Sequence, residues 1–315
     1  MEPRQKNRPR KIIGQAVLFL VVALIFYFIF RRVKIQEVLA AFRNVDPARF
    51  LVLNAVFVWT VLLIDAVTHF ALFKYFEFGI GFKEMFKLRL ANLLFTALGF
   101  VYGQGGMAYM ASRDSKKPVA RVVSLLAFIF FCTFHAALFW VTLGMIFFLP
   151  GLDAAGGFKW LWLWIALDWP LFIIWIAFWQ SRFKDKVPTG LRESLLYSFA
   201  NAKYGLYFKI ISLRAVQFLV VAFFIWLAMP VMMLDVPFKA LLGILPIQGI
   251  IIALPTPGRY GLNEGAFLLL FRKWASEPGL VAFSLLWGTA TNVVRSLSSL
   301  IAMDKLKGGS DGNPA

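Results

Sequence analysis

Residues 245–271 read LPIQGIIIALPTPGRYGLNEGAFLLLF. An apolar limb stops at Leu254, and a second limb follows the break at Pro255, Pro257 and Gly258. Gly261 sits on the far side of that break, with Arg259, Asn263 and Glu264 around it. A membrane-spanning helix needs about 20 consecutive apolar residues, and each limb is shorter. Proline removes a backbone donor and glycine admits unusual dihedrals. Backbone freed in this way within lipid must be buried in protein or line a wet cavity. The stretch therefore reads as a re-entrant hairpin, the kind of broken segment that marks a transporter's substrate site. A plain loop between two spanning helices is the simpler alternative.

Working outward, the whole chain is built for lipid. Of 315 residues 60% are apolar and 16% charged, and the mean hydropathy is +0.74, which excludes an ordinary soluble domain. Residues 1–305 form one transmembrane domain, followed by a disordered cytoplasmic tail at 306–315. The net charge of +17 lies mostly between apolar segments, where it acts as a topology signal and meets anionic headgroups. No aromatic-plus-basic recognition module accompanies it, so nucleic acid is not a partner. The single cysteine, Cys132, permits neither a disulfide framework nor a cysteine metal site. Two histidines and scattered carboxylates give no metal-ligand spacing, and no nucleotide loop or nucleophile motif is present. No cofactor is expected, and the chain does not read as an enzyme.

Apolar runs predict six spanning helices, at 12–30, 50–73, 119–149, 160–179, 206–229 and 281–303. Asp168 and Pro170 mark a kink in the fourth. Residues 35–43 suit a helix lying in the interface. A second broken stretch covers Phe82–Arg113, with its break assigned to Gly99, Gly103, Gly105 and Gly106 and a very short second limb at Met107–Ala111. Shifted by 156 positions, it overlays the first: Ala97-Leu98 falls on Ala253-Leu254 and Gly105 on Gly261. Two halves, about 12–149 and 160–303, are therefore expected from a duplication.

The basic connections at the N-terminus, 74–89, 113–121 and 182–192, and Lys305 with Lys307, belong in the cytoplasm, whereas 150–158 and 230–238 carry no lysine or arginine. All can be cytoplasmic only if each broken stretch enters and leaves on one side. The result is an all-α polytopic membrane protein with two re-entrant hairpins dipping from opposite faces, an inverted-topology repeat with both termini cytoplasmic. Arg31, Arg32 and Lys34 then lie outside, against the rule, as do Arg272 and Lys273; the first group is within reach of snorkelling.

Polar residues at membrane depth are the candidate site. In the last helix Ser284, Gly288, Asn292, Arg295 and Ser299 share one face, widened by Thr291 and Ser298. Helix packing through small residues explains the serines and glycine but not Arg295. Arg259, Arg295, Arg214 and Arg89 offer planar forks suited to phosphate, with Asn292, Asn263, Gln248 and Asn92 as hydrogen-bonding partners. Glu264 reads as a gate or coupling group, or as a static ion pair. Asp65 and His69, four apart on one helix face, read as a proton relay or a structural pair. His135 reads as a packing histidine.

LPTPGRYGLNEGA at 254–266 resembles the Pro-x-x-Gly-x-x-Gly-hydrophobic-x-Glu signature of the lysylphosphatidylglycerol synthase transmembrane, or flippase-like, family, with Pro255, Gly258, Gly261 and Glu264 in the matching places. The Gly-rich stretch from Asn92 to Arg113 adds to the resemblance but departs from it, with Gly99 and Val101 near a break where the family has a proline. The resemblance, over about residues 15–303, implies movement of a lipid or lipid-linked intermediate between leaflets of a bacterial cytoplasmic membrane. The chain leaves no room for the soluble synthase domain of some members, so aminoacyl transfer is not implied. The expected substrate is an anionic phospholipid or a polyprenyl-phosphate, glycolipid or hopanoid-type intermediate. The alternatives are an intramembrane enzyme acting on lipid phosphates and a non-catalytic partner of an envelope-lipid biosynthetic complex. A second copy of the chain and envelope-lipid enzymes are further candidate partners.

Overall fold

The structure, a computed structural model, describes residues 20, 22–43, 45–148, 159–251 and 260–305. Most of these residues are helical, with no strand among them. Among the described residues, five helices are long and apolar enough to cross a membrane: Pro47–Tyr75, Val119–Phe147, Leu161–Gln180, Tyr204–Met232 and Glu277–Met303. Most of the expected span at 12–30 lies outside the described residues; 22–32 is helical and is called α1.

Local chemistry sets the helix ends. The short helix α2 (Ile35–Phe42) is followed by Asp46, whose Oδ1 accepts from the Ala48 and Arg49 amides at 3.0 and 3.1 Å. With Pro47 at the first helical position, this cap launches α3 (Pro47–Tyr75). α4 (Phe82–Leu98) starts at Gly81, whose amide donates to Glu84 Oε2 at 3.3 Å, and stops at Gly99. Gly99 takes φ 149° and ψ 165°, a region open essentially only to glycine. The chain reverses there, and α5 (Phe100–Ser115) runs back along α4.

Here the structure corrects one expectation. Gly103, Gly105 and Gly106 do not break the helix; α5 continues through all three for 16 residues. A Cβ on Gly103 would meet Thr96 Oγ1 at 2.8 Å and Thr96 Cα at 3.2 Å, and one on Gly106 would meet Phe95 Cδ2 at 2.6 Å. Those two glycines let the antiparallel limbs touch, as small residues do between membrane helices. Gly105 faces open space.

α6 (Val119–Leu143) follows, ending in a π-helical turn at Gly144–Phe148. A Cβ on Gly144 would stand 2.5 Å from Gly243 Cα, so the backbones meet directly. α7 (Lys159–Gln180) runs through Pro170 without a break. Neighbouring groups can re-satisfy the backbone a proline frees in a membrane helix. A basic link then winds through a 3₁₀ turn (Arg182–Lys186), α8 (Thr189–Arg192) and α9 (Tyr197–Asn201) into α10 (Tyr204–Ala228). α11 (Phe238–Ile251), α12 (Leu262–Phe271) and α13 (Glu277–Ser299) complete the chain. α11 and α12 are too short to span a bilayer at 1.5 Å per residue.

The two halves repeat one order of elements at nearly one interval. The spans Pro47–Tyr75 and Tyr204–Met232 are each 29 residues and begin 157 positions apart. Their short-helix pairs begin at 82 and 238, and the closing spans at 119 and 277. Packing follows the same rule. α3 packs on α10, α4 of the first pair lies against α13, and α11 of the second lies against α6. The short α2 rests on α13 as α9 rests on α6.

Candidate functional site

One cavity of about 380 Å³ runs between the two short-helix pairs and the helices α3, α6, α10 and α13. That volume falls within the range of ligand sites. Much of its wall is apolar: Phe57, Val58 and Leu62 of α3, Ile129 and Phe130 of α6, Phe218 and Val221 of α10, and Trp287 of α13. Two polar clusters interrupt this wall.

The first is centred on Asp65, roughly 15 Å along α3 from its C-terminal end. Its Oδ1 accepts from Arg214 Nη1 at 2.7 Å, and its Oδ2 is paired with Arg89 Nη2 in a close contact. Three elements meet on this one carboxylate, from residues 24 and 149 positions away in the chain. Arg214 Nη1 also donates to Gln217 Oε1, one turn along α10. His69 Nδ1 donates to the Asp65 backbone carbonyl at 2.8 Å and lies 3.6 Å from Oδ1. Asp65, His69, Arg89 and Arg214 are all at least nine-tenths buried. Arg89 Nε and Nη1 and Arg214 Nε have no hydrogen-bond partner among the described residues. Two guanidinium groups thus face one carboxylate, an excess of positive charge where desolvation is expensive.

The second cluster joins the α11–α12 pair to α13. Gln248 Nε2 donates to Asn263 Oδ1 at 2.5 Å, and Asn263 Nδ2 donates to the Ser284 carbonyl at 3.2 Å. Gly288, Thr291, Asn292 and Arg295 continue the cavity wall along α13. A Cβ on Gly288 would lie 3.6 Å from Asn263 Nδ2. Glu264 is fully buried at the cavity edge. Its Oε2 accepts from the Gly261 amide at 2.6 Å, which caps α12, and Gly261 holds φ +83°. Glu264 Oε1 has no partner among the described residues.

Of the residues singled out from sequence, Arg89, Arg214, Arg295, Asn292, Asn263, Gln248, Glu264, Asp65 and His69 all line this cavity. Asn92 does not. It is buried in the α4–α5 seam, where its Oδ1 would stand 3.0 Å from a Cβ on Gly106. Arg259, Pro255, Pro257 and Gly258 lie outside the described residues. The α13 stripe divides: Ser298 and Ser299 are buried away from the cavity, and Ser299 Oγ bonds the Ser296 carbonyl at 2.7 Å.

Sequence reasoning missed several wall residues. Gln217 carried a usable signal, since it shares a helix face with Arg214. Thr96, Gln104 and Thr133 carried none. Asn54 was missed as a support: its Nδ2 donates to Thr291 Oγ1 at 3.0 Å, binding α3 to α13 beside the cavity. His135 packs between Phe131 and Phe172, donates from Nδ1 to the Phe131 carbonyl at 2.8 Å, and places Nε2 3.3 Å from Asp168 Oδ2. That pair ties α7 to α6, away from the cavity wall.

One sequence comparison bears on this chain. The family described as the lysylphosphatidylglycerol synthase TM region matches residues 13–299. The chain belongs to this family. A lysylphosphatidylglycerol synthase TM region is a multi-pass membrane unit with a function connected to membrane lipids. No curated protein matches the chain closely enough to count as a relative. Within this lysylphosphatidylglycerol synthase TM region, the first polar cluster joins the two halves through α3, α4 and α10, and the second joins the α11–α12 pair to α13 inside one half.

Proposed function

We propose that the chain is a lipid translocase, moving an amphiphile with an anionic, phosphate-bearing headgroup between leaflets. The observation that carries this reading is a single cavity that touches both short-helix pairs and sets three arginines, Arg89, Arg214 and Arg295, among apolar walls. A polar headgroup fits the clusters while its chains stay with the apolar wall and the surrounding lipid. Guanidinium forks suit phosphate in number and geometry.

In this reading the pairs α4–α5 and α11–α12 are re-entrant hairpins dipping from opposite faces. The repeated order of elements at nearly constant spacing, with one helix of each pair packed on the other half's closing helix, supports an inverted-topology duplication. Both termini and the basic link 182–192 are then cytoplasmic, and the membrane is the bacterial cytoplasmic membrane. Arg295, Asn292, Asn263 and Gln248 engage the headgroup, Arg89 and Arg214 supply further anion contacts, and Glu264 gates the second hairpin. The role is transport without covalent chemistry.

Headgroup translocation in proteoliposomes tests it. Arg295→Ala is expected to abolish transport of an anionic phospholipid while leaving the protein folded. An unchanged rate removes Arg295 from the mechanism, and conversion of a radiolabelled lipid to a new product by the purified chain would replace transport with catalysis.

A further inference from the structure

Arg89 and Arg214 are not idle: Asp65 already occupies them. One carboxylate on α3 takes Arg214 Nη1 at 2.7 Å on one oxygen and Arg89 on the other. Yet each guanidinium keeps donors that nothing among the described residues accepts, Nε and Nη1 of Arg89 and Nε of Arg214. Arg89 is only 9% exposed and Arg214 5%, and both line the cavity. A buried donor left without an acceptor costs about 1–3 kcal/mol, more when the group is charged. One carboxylate therefore leaves both the charge and the hydrogen-bonding capacity of the pair unsatisfied. A phosphate, with more acceptor oxygens and up to two negative charges, satisfies both better.

We propose that Asp65 is a resident counter-anion, holding the place of an incoming phosphate at Arg89 and Arg214 and yielding it on binding. The ligand class is a phosphate mono- or diester, or a diphosphate. The exchange also has a mechanical result. Asp65 ties α4 to α3 through Arg89 and α10 to α3 through Arg214, so loss of its carboxylate from the site unties the first short-helix pair from the α3–α10 centre. Binding and release of that pair become one event, as a population shift requires of a ligand that drives motion. The proposal rests on the lipid-transport reading only for what carries the phosphate.

The test uses the full chain in dodecyl maltoside micelles, which carry no phosphate, with inorganic pyrophosphate and dioctanoyl phosphatidic acid as probes in calorimetry. Asp65→Asn is expected to bind both at least about tenfold more tightly than the wild type, because the competing carboxylate is gone. Arg89→Gln, which leaves Asp65 balanced by Arg214, is expected to bind both at least about tenfold more weakly. In the wild type, either probe is expected to speed hydrogen exchange along α4. Should Asp65→Asn unfold in anion-free buffer, recovery of folded protein by pyrophosphate supports the proposal. Unchanged or weaker binding by folded Asp65→Asn, wild-type affinity in Arg89→Gln, or unaltered α4 exchange overturns it. Tightening for pyrophosphate but not for phosphatidic acid keeps the place-holder and removes the lipid cargo. Transport lost in Arg295→Ala alongside unchanged affinity in Asp65→Asn does the reverse.

Discussion

Gln248 Nε2 donates to Asn263 Oδ1 at 2.5 Å, an amide-to-amide bond between the two limbs of the second short-helix pair. Asn263 passes the link on to the Ser284 carbonyl of α13. Both amides line the cavity, so one pair of side chains holds the site together and faces what enters it. A double-mutant cycle on Gln248→Ala and Asn263→Ala is expected to give a coupling of about 0.5–3 kcal/mol in denaturation midpoints. Additive effects would show that the bond contributes nothing to stability.

Glu264 separates two roles that a single substitution would blur. Its Oε2 caps α12 through the Gly261 amide at 2.6 Å. Glu264→Gln retains an acceptor for that amide, so stability is expected to stay close to wild type while transport slows. Glu264→Ala removes the cap and is expected to cost about 0.5–2 kcal/mol as well. Transport by Glu264→Gln at the wild-type rate would confine the residue to capping.

The glycines of α5 are expected to differ sharply under the same change. Gly103→Ala places a methyl 3.2 Å from Thr96 Cα and 2.8 Å from its hydroxyl, and is expected to destabilise by about 1–3 kcal/mol as overpacking. Gly105→Ala meets nothing within 4 Å and gains helix propensity, so it is expected to be neutral or stabilising by up to about 1 kcal/mol. Thermal unfolding in detergent reads both, and equal effects would refute the packed seam between α4 and α5.

Thr291→Val keeps the shape of the side chain but removes the acceptor for Asn54 Nδ2, 3.0 Å away and wholly buried. A loss of about 1–3 kcal/mol is expected from the stranded amide. Asn54→Leu combined with Thr291→Val removes both partners and is expected to recover part of it.

The membrane class, five of the six spans and a repeat interval close to 156 positions were legible because they depend on hydropathy and order along the chain. What was not legible depends on which faces meet. Gly103, Gly105 and Gly106 read as breaks because glycine lowers helix propensity; the α4 surface that Gly103 and Gly106 pack on is visible only once the limbs are folded together. Asn92 read as a substrate contact because it sits in the polar limb, but α5 covers it. Asp65 and His69 showed their common face. The two arginines on Asp65 come from α4 and α10, and nothing in sequence spacing pairs residues 65 and 214.

The crossed packing, α4 against α13 and α11 against α6, sets part of each half's short-helix pair on the other half. One helix of each pair packs on the other half's closing helix, while its partner stays on its own, α5 on α6 and α12 on α13. A polypeptide severed within 149–158 should accordingly yield two fragments that are proteolysed when made singly and accumulate when made together.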